Sequence, residues 1–178
     1  MRLFIAIDLP FEAKKEIVGV RELIKNKGGI KWVEMENIHL TLKFLGEVEE
    51  DKVSAIEKRL KAVAKDTEPF IISLRDVGGF PTERESRVIW VGVEQGREMV
   101  YELNRKIERA MEKLGFERDS RFHPHITIGR VKRGRVNVQG LKFHYPSIFV
   151  KSFFLISSRL TPSGPIYTPL REFKLGEG

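Results

Sequence analysis

Cysteine is absent from the 178-residue sequence, and glutamine occurs only twice. Without cysteine the chain can form no disulfide, and a thiolate metal site and a cysteine nucleophile are both excluded. Long hydrophobic runs are missing as well. Near the N-terminus a run of only five apolar residues precedes Asp8, which is too short for a signal-peptide core or a membrane span. We therefore expect a cytoplasmic protein without membrane contact.

The composition is that of a globular protein, with 41% hydrophobic and 32% charged residues. Lysine and arginine number 32 against 25 for aspartate and glutamate, so the net charge is +7. This excess favours a polyanionic partner, most simply nucleic acid. A charge-rich surface with little glutamine also suits a heat-adapted protein, and composition does not decide between the two explanations.

Apolar periodicity indicates a chain that mixes helices and strands. Helical spacing covers residues 12–25, 51–65 and 98–114, and we expect Gly28-Gly29 to end the first helix. Strand patterns cover residues 3–9, 38–45, 70–77, 88–93, 125–131, 140–144, 148–157 and 167–175. The segment 78–86 is rich in turn residues and predicts a loop.

The same short motif, His-x-Thr-x, occurs in two of the predicted strands. Side chains alternate between the faces of a strand, so His39 and Thr41 share one face, as do His125 and Thr127. Each motif follows a strand and an amphipathic helix at a similar sequence separation. This repeat predicts an α+β fold of two pseudo-symmetric lobes, each an antiparallel-rich sheet with helices on one side. We expect a single domain over residues 1–178, with both motif strands at a central cleft.

Two histidines that share a cleft can carry out acid–base chemistry, because an imidazole titrates near neutral pH. One ring can deprotonate an attacking hydroxyl or water while the other protonates the leaving oxygen. The threonine beside each ring can donate a hydrogen bond to a non-bridging phosphate oxygen, where charge develops. Such a site requires no metal ion or other cofactor. The alternative is a zinc site, whose candidate ligands are His39, His123, His125 and His144.

The chain resembles the 2H phosphoesterase superfamily, which is named for two His-x-[Ser/Thr]-x motifs. Its closest resemblance is to the prokaryotic RNA 2′,3′-cyclic phosphodiesterases, also called 2′-5′ RNA ligases. The segments that carry it are RLFIAIDLP, IKWVEMENIHLTLKFLGEV, FPTERESRVIWVGV and RFHPHITIGRV, and the match extends over nearly the whole chain. One departure is Ser86, which stands before Arg87 where this family is expected to have proline.

The resemblance implies a role for five residues. His39 and His125 would be the acid–base pair, with His125 activating the nucleophile and His39 protonating the leaving oxygen. Thr41 and Thr127 would bind the phosphate, and Arg130 matches the arginine that follows the second motif. Strict alternation points Arg130 away from the cleft, whereas a bulge or a strand end at Gly129 would redirect it. Four aromatic residues can either stack on bases or pack in the core, namely Trp32, Phe44, Phe80 and Tyr167.

Charges near each motif in the sequence favour the same assignment. Basic residues surround His125, and acidic residues surround His39: the first set is Arg121, Arg130, Lys132 and Arg133, and the second is Glu34, Glu36, Glu47 and Glu49. Positive charge lowers the pKa of an imidazole and negative charge raises it, so these charges predict a neutral base at His125 and a protonated acid at His39.

The implied reaction is hydrolysis of a 2′,3′-cyclic phosphate at an RNA 3′ end, in which O3′ leaves and a 2′-phosphate remains. An RNA 5′-hydroxyl in place of water would form a 2′-5′ linkage without ATP. The alternatives are a phosphodiesterase for small cyclic nucleotides or ADP-ribose cyclic phosphate, and a non-catalytic RNA-binding module. The expected partner is RNA with 2′,3′-cyclic phosphate ends, tRNA fragments included, and the expected state is a monomer.

Overall fold

Nine strands and three α-helices are formed by residues 1–25 and 29–177, the part of the chain that the computed structural model describes. The strands are β1 (Arg2–Asp8), β2 (Ile30–Trp32), β3 (His39–Glu47), β4 (Phe70–Pro81), β5 (Ser86–Val93), β6 (His125–Val131), β7 (His144–Val150), β8 (Ser152–Thr161) and β9 (Gly164–Lys174). The helices are α1 (Phe11–Gly19), α2 (Val53–Lys65) and α3 (Arg97–Glu112). Short 3-10 helices cover Val20–Leu23, Met35–Asn37 and Glu50–Lys52. Within these described ranges, no helix is both long and apolar enough to cross a membrane.

The strands form two antiparallel sheets with a repeated order. The first sheet has the order β3-β1-β8-β9 and the second has the order β2-β6-β5-β4-β7. When β2 is set aside, each sheet starts with a motif strand, β3 or β6, followed by the strand that opens its half of the chain, β1 or β5. This correspondence confirms the predicted α+β fold of two pseudo-symmetric lobes.

One continuous apolar core joins the inner faces of both sheets to the helices. Ile5 and Leu40 of the first sheet and Ile89 and Ile126 of the second have no exposed surface. Because alternate residues of a strand face opposite sides, burying Leu40 and Ile126 leaves the histidines and threonines of both motifs on the other face.

The predicted loop over residues 78–86 was wrong in its first half, because β4 continues through Gly78 and Gly79. A Cβ atom at Gly78 would overlap the Trp90 ring, and one at Gly79 would overlap the Ser86 hydroxyl. These glycines therefore permit the close approach of β5 side chains instead of forming a turn. The N–H of the fully buried Ser86 donates to the carbonyl of Val136 at 2.8 Å. Proline at this position could not make that hydrogen bond.

The predicted strand over residues 140–144 was also wrong, since β7 begins only at His144. Gly140 has a φ of 78°, which interrupts an extended chain. The segment after it bonds to an irregular part of β4, where the N–H of Asp76 donates to the carbonyl of Phe143 at 2.8 Å. The strand predicted over 148–157 is two strands with a break at Lys151, where the chain passes from the second sheet to the first.

The helices match the predictions with shifted ends. The first is shorter than expected, because α1 ends at Gly19 and a 3-10 turn follows it. The proposed stop at Gly28-Gly29 includes Gly28, which lies outside the described residues. The second predicted helix begins with a 3-10 turn, which α2 follows. The third was predicted to end at Leu114, and α3 ends two residues earlier, at Glu112.

Candidate active site

The two motif strands contact each other, one from each sheet. Beside them lies a cleft of about 630 Å³ whose lining includes His39, Thr41, His125 and Thr127. The motif side chains are half-buried at this cleft, while the residues between them are buried in the core. The structure therefore brings both motifs to one site, as the alternation indicated.

Arg130 also lines the cleft because β6 contains a bulge. Thr127 and Gly129 pair with consecutive residues of β5, so Ile128 between them has no partner on that strand. The extra residue shifts the alternation by one and returns Arg130 to the face of Thr127. Of the possibilities that the sequence left open for Arg130, the structure shows a bulge just before Gly129, and strict alternation through this strand is wrong.

A matching bulge in β3 makes the two walls of the cleft different. Thr41 and Lys43 pair with consecutive residues of β1, and Leu42 has no partner there. Phe44 consequently takes the position that Arg130 takes in β6, and this residue is 70% exposed at the cleft. Phe44 is therefore not a core residue. An aromatic ring flanks the first motif, whereas a guanidinium flanks the second.

A backbone hydrogen bond orients the His125 imidazole, whose Nδ1 lies 2.5 Å from the carbonyl oxygen of His123. At His39 the backbone of Asn37 favours the protonated ring and so raises the pKa. A carbonyl can only accept, so Nδ1 of His125 carries the proton. Nε2 of the neutral ring then holds the lone pair, which makes it the atom that can accept a proton.

Aromatic rings surround each histidine. The His39 ring is stacked on Phe4 with centroids 5.0 Å apart and meets the edge of Tyr167 at 5.2 Å. The His125 ring contacts Phe80 at 5.3 Å and Trp90 at 6.0 Å. The sequence analysis named Phe80 and Tyr167 but did not predict that they pack against the histidines, and it missed Phe4 and Trp90. Phe4 and Trp90 lie on strands that pair with the motif strands, which is the signal that could have identified them.

Burial is the main influence on both imidazoles. It lowers the pKa of His39 from 6.5 to about 4, an effect that the Asp8 carboxylate opposes and the Lys14 ammonium reinforces. Burial also lowers the pKa of His125; the hydrogen bond to the His123 carbonyl opposes this shift, and Arg130 adds to it. The prediction that Glu34, Glu36, Glu47 and Glu49 keep His39 protonated is therefore wrong. The carboxylate that acts on the ring is Asp8, and desolvation outweighs it. Before an anion binds, both rings are neutral at pH 7.

Three cations form one wall of the cleft, which we call the cationic wall: Lys31, Arg130 and Lys132. Lys31 lies opposite Arg130 across the β2–β6 pair, and Lys132 follows two residues later. Within residues 1–25 and 29–177, none of the three makes an ion pair with a carboxylate. Unpaired cations at a cleft attract anionic ligands.

The zinc alternative draws on two further histidines, and they lie apart. His123 lines the cleft, with its ring 5.8 Å from that of His125. His144 is exposed on β7 and is not part of the cleft lining. No group of three or more histidine, aspartate or glutamate residues with the spacing of a metal site occurs in the described part of the chain.

Comparison with known proteins identifies relatives over nearly the full length. The family profile described as LigT like Phosphoesterase matches residues 7–90 and matches again at residues 91–167, once in each half of the repeat. A protein of Archaeoglobus fulgidus named RNA 2′,3′-cyclic phosphodiesterase is 41% identical, and the alignment covers 98% of this chain and 100% of that protein.

Solved structures show the same fold. The crystal structure of the Thermus thermophilus protein TT0787 is 32% identical, with a TM-score of 0.88 over 99% of this chain and 98% of that one. Escherichia coli LigT complexed with 3′-AMP is 30% identical, with a TM-score of 0.84 over 99% of this chain and 98% of that one.

Proposed function

We propose that this chain, which belongs to the LigT-like phosphoesterase family, hydrolyses 2′,3′-cyclic phosphates at RNA 3′ ends and leaves a 2′-phosphate. The observation that carries the proposal is the convergence of His39 and His125, each with a threonine on the same strand face, on one cleft. The name of the Archaeoglobus relative supports the choice of substrate.

His125 acts as the general base. Its neutral ring holds the lone pair on Nε2 because Nδ1 is bonded to the His123 carbonyl. Nε2 takes a proton from water while the water oxygen bonds to phosphorus. The lowered pKa of His125 keeps the ring neutral at pH 7 and ready to accept this proton.

His39 acts as the general acid once substrate is bound. With a pKa of about 4, the ring is neutral before the substrate enters the cleft. An anionic phosphate a few ångströms away favours the charged imidazole and raises this pKa. The protonated ring then transfers its proton to O3′ as the P–O3′ bond breaks. His125 ends the cycle protonated and His39 neutral, and exchange with solvent restores both rings.

Thr41 and Thr127 bind the non-bridging phosphate oxygens, together with Arg130. Neither threonine hydroxyl has a hydrogen-bond partner within residues 1–25 and 29–177, so both are available to a ligand. Negative charge on these oxygens grows in the transition state, where positioned donors stabilise it most.

Lys31 and Lys132 of the cationic wall bind the backbone phosphates of an RNA strand, and the exposed ring of Phe44 offers a face to a nucleobase. The substrates would thus be RNA ends, tRNA fragments among them, in preference to free nucleotides. An RNA 5′-hydroxyl that replaces water at His125 would give a 2′-5′ linkage by the same proton transfers.

We infer that residues 1–178 work as one domain, since each sheet contributes one half of the acid–base pair. A monomer already contains both halves, so light scattering after gel filtration should report a mass near 20.6 kDa. The cytoplasmic location stays a prediction from the sequence.

Turnover of a short RNA with a 2′,3′-cyclic phosphate in excess EDTA tests the proposal, with ³¹P NMR identifying the product. We expect full activity, a 2′-phosphate product and a bell-shaped pH profile. His39→Ala and His125→Ala should each lose at least about a hundredfold in kcat. Loss of wild-type activity with EDTA and recovery with zinc would contradict the mechanism.

A cyclic mononucleotide serves as the matched substrate. Raising the salt concentration should increase KM for the RNA much more than KM for the mononucleotide, because only the RNA presents backbone phosphates to Lys31 and Lys132. Equal salt dependence of the two KM values would favour the small cyclic nucleotide as the substrate.

A further inference from the structure

A lysine is buried beside the cleft, at the bulge of β3. Lys43 directly follows the unpaired Leu42, and its side chain is only 4% exposed. Its Nζ donates to Oε1 of Glu108 on α3 at 2.6 Å and to the carbonyl of Glu117 at 2.8 Å. Apolar residues of similar size often stabilise a fold as well as a buried ion pair does. Stability alone therefore does not explain this ion pair, and its contacts suggest a further role.

The hydrogen bonds around this pair reach towards both motifs. On one side, Nδ2 of Asn104 donates to the carbonyl of Leu42 at 2.9 Å, one residue after Thr41. On the other side, the backbone N–H of Asp119 donates to Glu108 at 3.3 Å, in the segment that leads to the second motif strand. Helix α3 therefore holds the β3 bulge and the approach to β6 through the same few side chains.

The equivalent position in β6 is held differently. Gly129 stands where β3 has Lys43, and a Cβ atom there would lie 2.8 Å from the Trp32 ring. Trp32 belongs to β2, from the first half of the chain, and packs on the second motif strand. Helix α3, from the second half, packs on the first motif strand. Each half thus holds the bulge of the other, and the contact with β3 contains a buried ion pair.

We propose that Lys43 and Glu108 are positioning residues, whose ion pair fixes the first motif strand relative to the second. The inference rests on the proposed function. Glu108 does not line the cleft, and the Nζ of Lys43, which does line it, is held by Glu108 and the Glu117 carbonyl. Both side chains therefore act through Thr41 and His39 on one side and through the segment before His125 on the other. Acid and base must be aligned on one phosphorus, and a displacement of about 1 Å is enough to cost roughly a hundredfold in rate.

Three variants separate this role from stability: Lys43→Met, Glu108→Gln, and the double variant Lys43→Met with Glu108→Leu. Lys43→Met leaves the buried Glu108 carboxylate without its cation, and Glu108→Gln leaves the buried Lys43 ammonium without a countercharge, so we expect a lower Tm for both. The double variant replaces the ion pair by apolar side chains and should recover most of that Tm. We expect all three to lose roughly 10–100-fold in kcat on the RNA cyclic phosphate, with KM within about threefold of wild type.

A second substrate, a nitrophenyl phosphodiester, distinguishes displacement from a loss of folded protein. Its leaving oxygen needs no proton, so a displaced His39 should slow it less than it slows the cyclic phosphate. We expect the ratio of cyclic-phosphate to nitrophenyl activity to fall at least about fivefold in all three variants. A reduced folded fraction would lower both activities equally and leave the ratio unchanged.

Lys106→Met is the matched control, because Lys106 also lies on α3 but bonds to the carbonyl of Asp66 at 2.6 Å, away from the cleft. Its kcat and activity ratio should equal those of wild type. If the double variant recovers kcat along with Tm, or if the ratio does not change, the pair is structural and the positioning role is overturned. Absence of cyclic-phosphate turnover by the wild-type protein would overturn the proposed function itself, and this inference with it.

Discussion

His39 and His125 have the same side chain in equivalent motifs, but their surroundings differ. The His39 ring lies against Phe4 and Tyr167, and burial takes its pKa to about 4. The His125 ring lies beside Arg130 and is bonded to the His123 carbonyl. A nearby guanidinium disfavours the protonated ring and suits a base. At His39 the charge of a bound phosphate raises the pKa, so the ring takes up a proton from solvent and can act as the acid.

The two roles can be separated with the nitrophenyl phosphodiester, whose leaving group departs without a proton. In His39→Ala, the factor by which kcat falls should be about a hundredfold smaller for this substrate than for the cyclic phosphate, because its leaving group does not need the acid. His125→Ala should be inactive on both, because water still requires a base. The measurement is kcat for each variant on each substrate, and the opposite pattern would reverse the assignment.

At the scale of the elements, the motif strands were predictable because alternation and burial are local properties. In each motif an apolar residue, Leu40 or Ile126, lies between the histidine and the threonine. This alternation was enough to predict that the histidine and threonine of each motif share one face of their strand. The pairing of β2 with β6, the motif strand from the other half of the chain, was not predictable. A strand of three residues is too short for its sequence to indicate which strand it pairs with. The glycines of β4 were misassigned to a loop, since glycine marks both turns and close approaches.

The contact between β2 and the β6 bulge is testable at Gly129. In Gly129→Ala the new Cβ would lie 2.8 Å from the Trp32 ring, so the ring or the bulge must shift. We expect the free energy of unfolding to fall by about 1–3 kcal/mol in guanidinium titrations, with slower RNA turnover as Arg130 moves. Gly19→Ala is the control, because nothing lies within 4 Å of its Cβ position, and its stability should not decrease. Wild-type stability in Gly129→Ala would show that Trp32 does not hold the bulge.

For the molecule as a whole, the site exists only where the two sheets meet. The cleft is lined from both sheets, and the contacts of α3 with β3 and of β2 with β6 cross between the two halves of the chain. The repeated motif indicated this arrangement from the sequence, but the crossing contacts join residues far apart in the chain and leave no local pattern. Burial at this junction also desolvates the histidines, which links the stability of the fold to pH.

Stability should therefore fall in mild acid. The pKa of His39 is about 4 in the folded protein and about 6.5 when unfolded. Above pH 6.5 the ring is neutral in both states. As the pH falls from 6.5 towards 4 the unfolded chain binds a proton that the folded chain does not, so the free energy of unfolding decreases. The lowered pKa values of His123 and His125 act in the same direction.

His39→Gln isolates the largest contribution, because glutamine does not titrate. Between pH 7 and pH 5 the free energy of unfolding of the wild-type protein should fall by about 2 kcal/mol more than that of the variant, which corresponds to roughly 1.5 pH units below the unfolded pKa. Guanidinium titrations at the two pH values measure this difference, and the carboxylates contribute equally to both proteins. A variant with the same pH dependence as wild type would show that the pKa of His39 in the folded protein stays near that of the unfolded chain, and that burial in the cleft does not desolvate the ring.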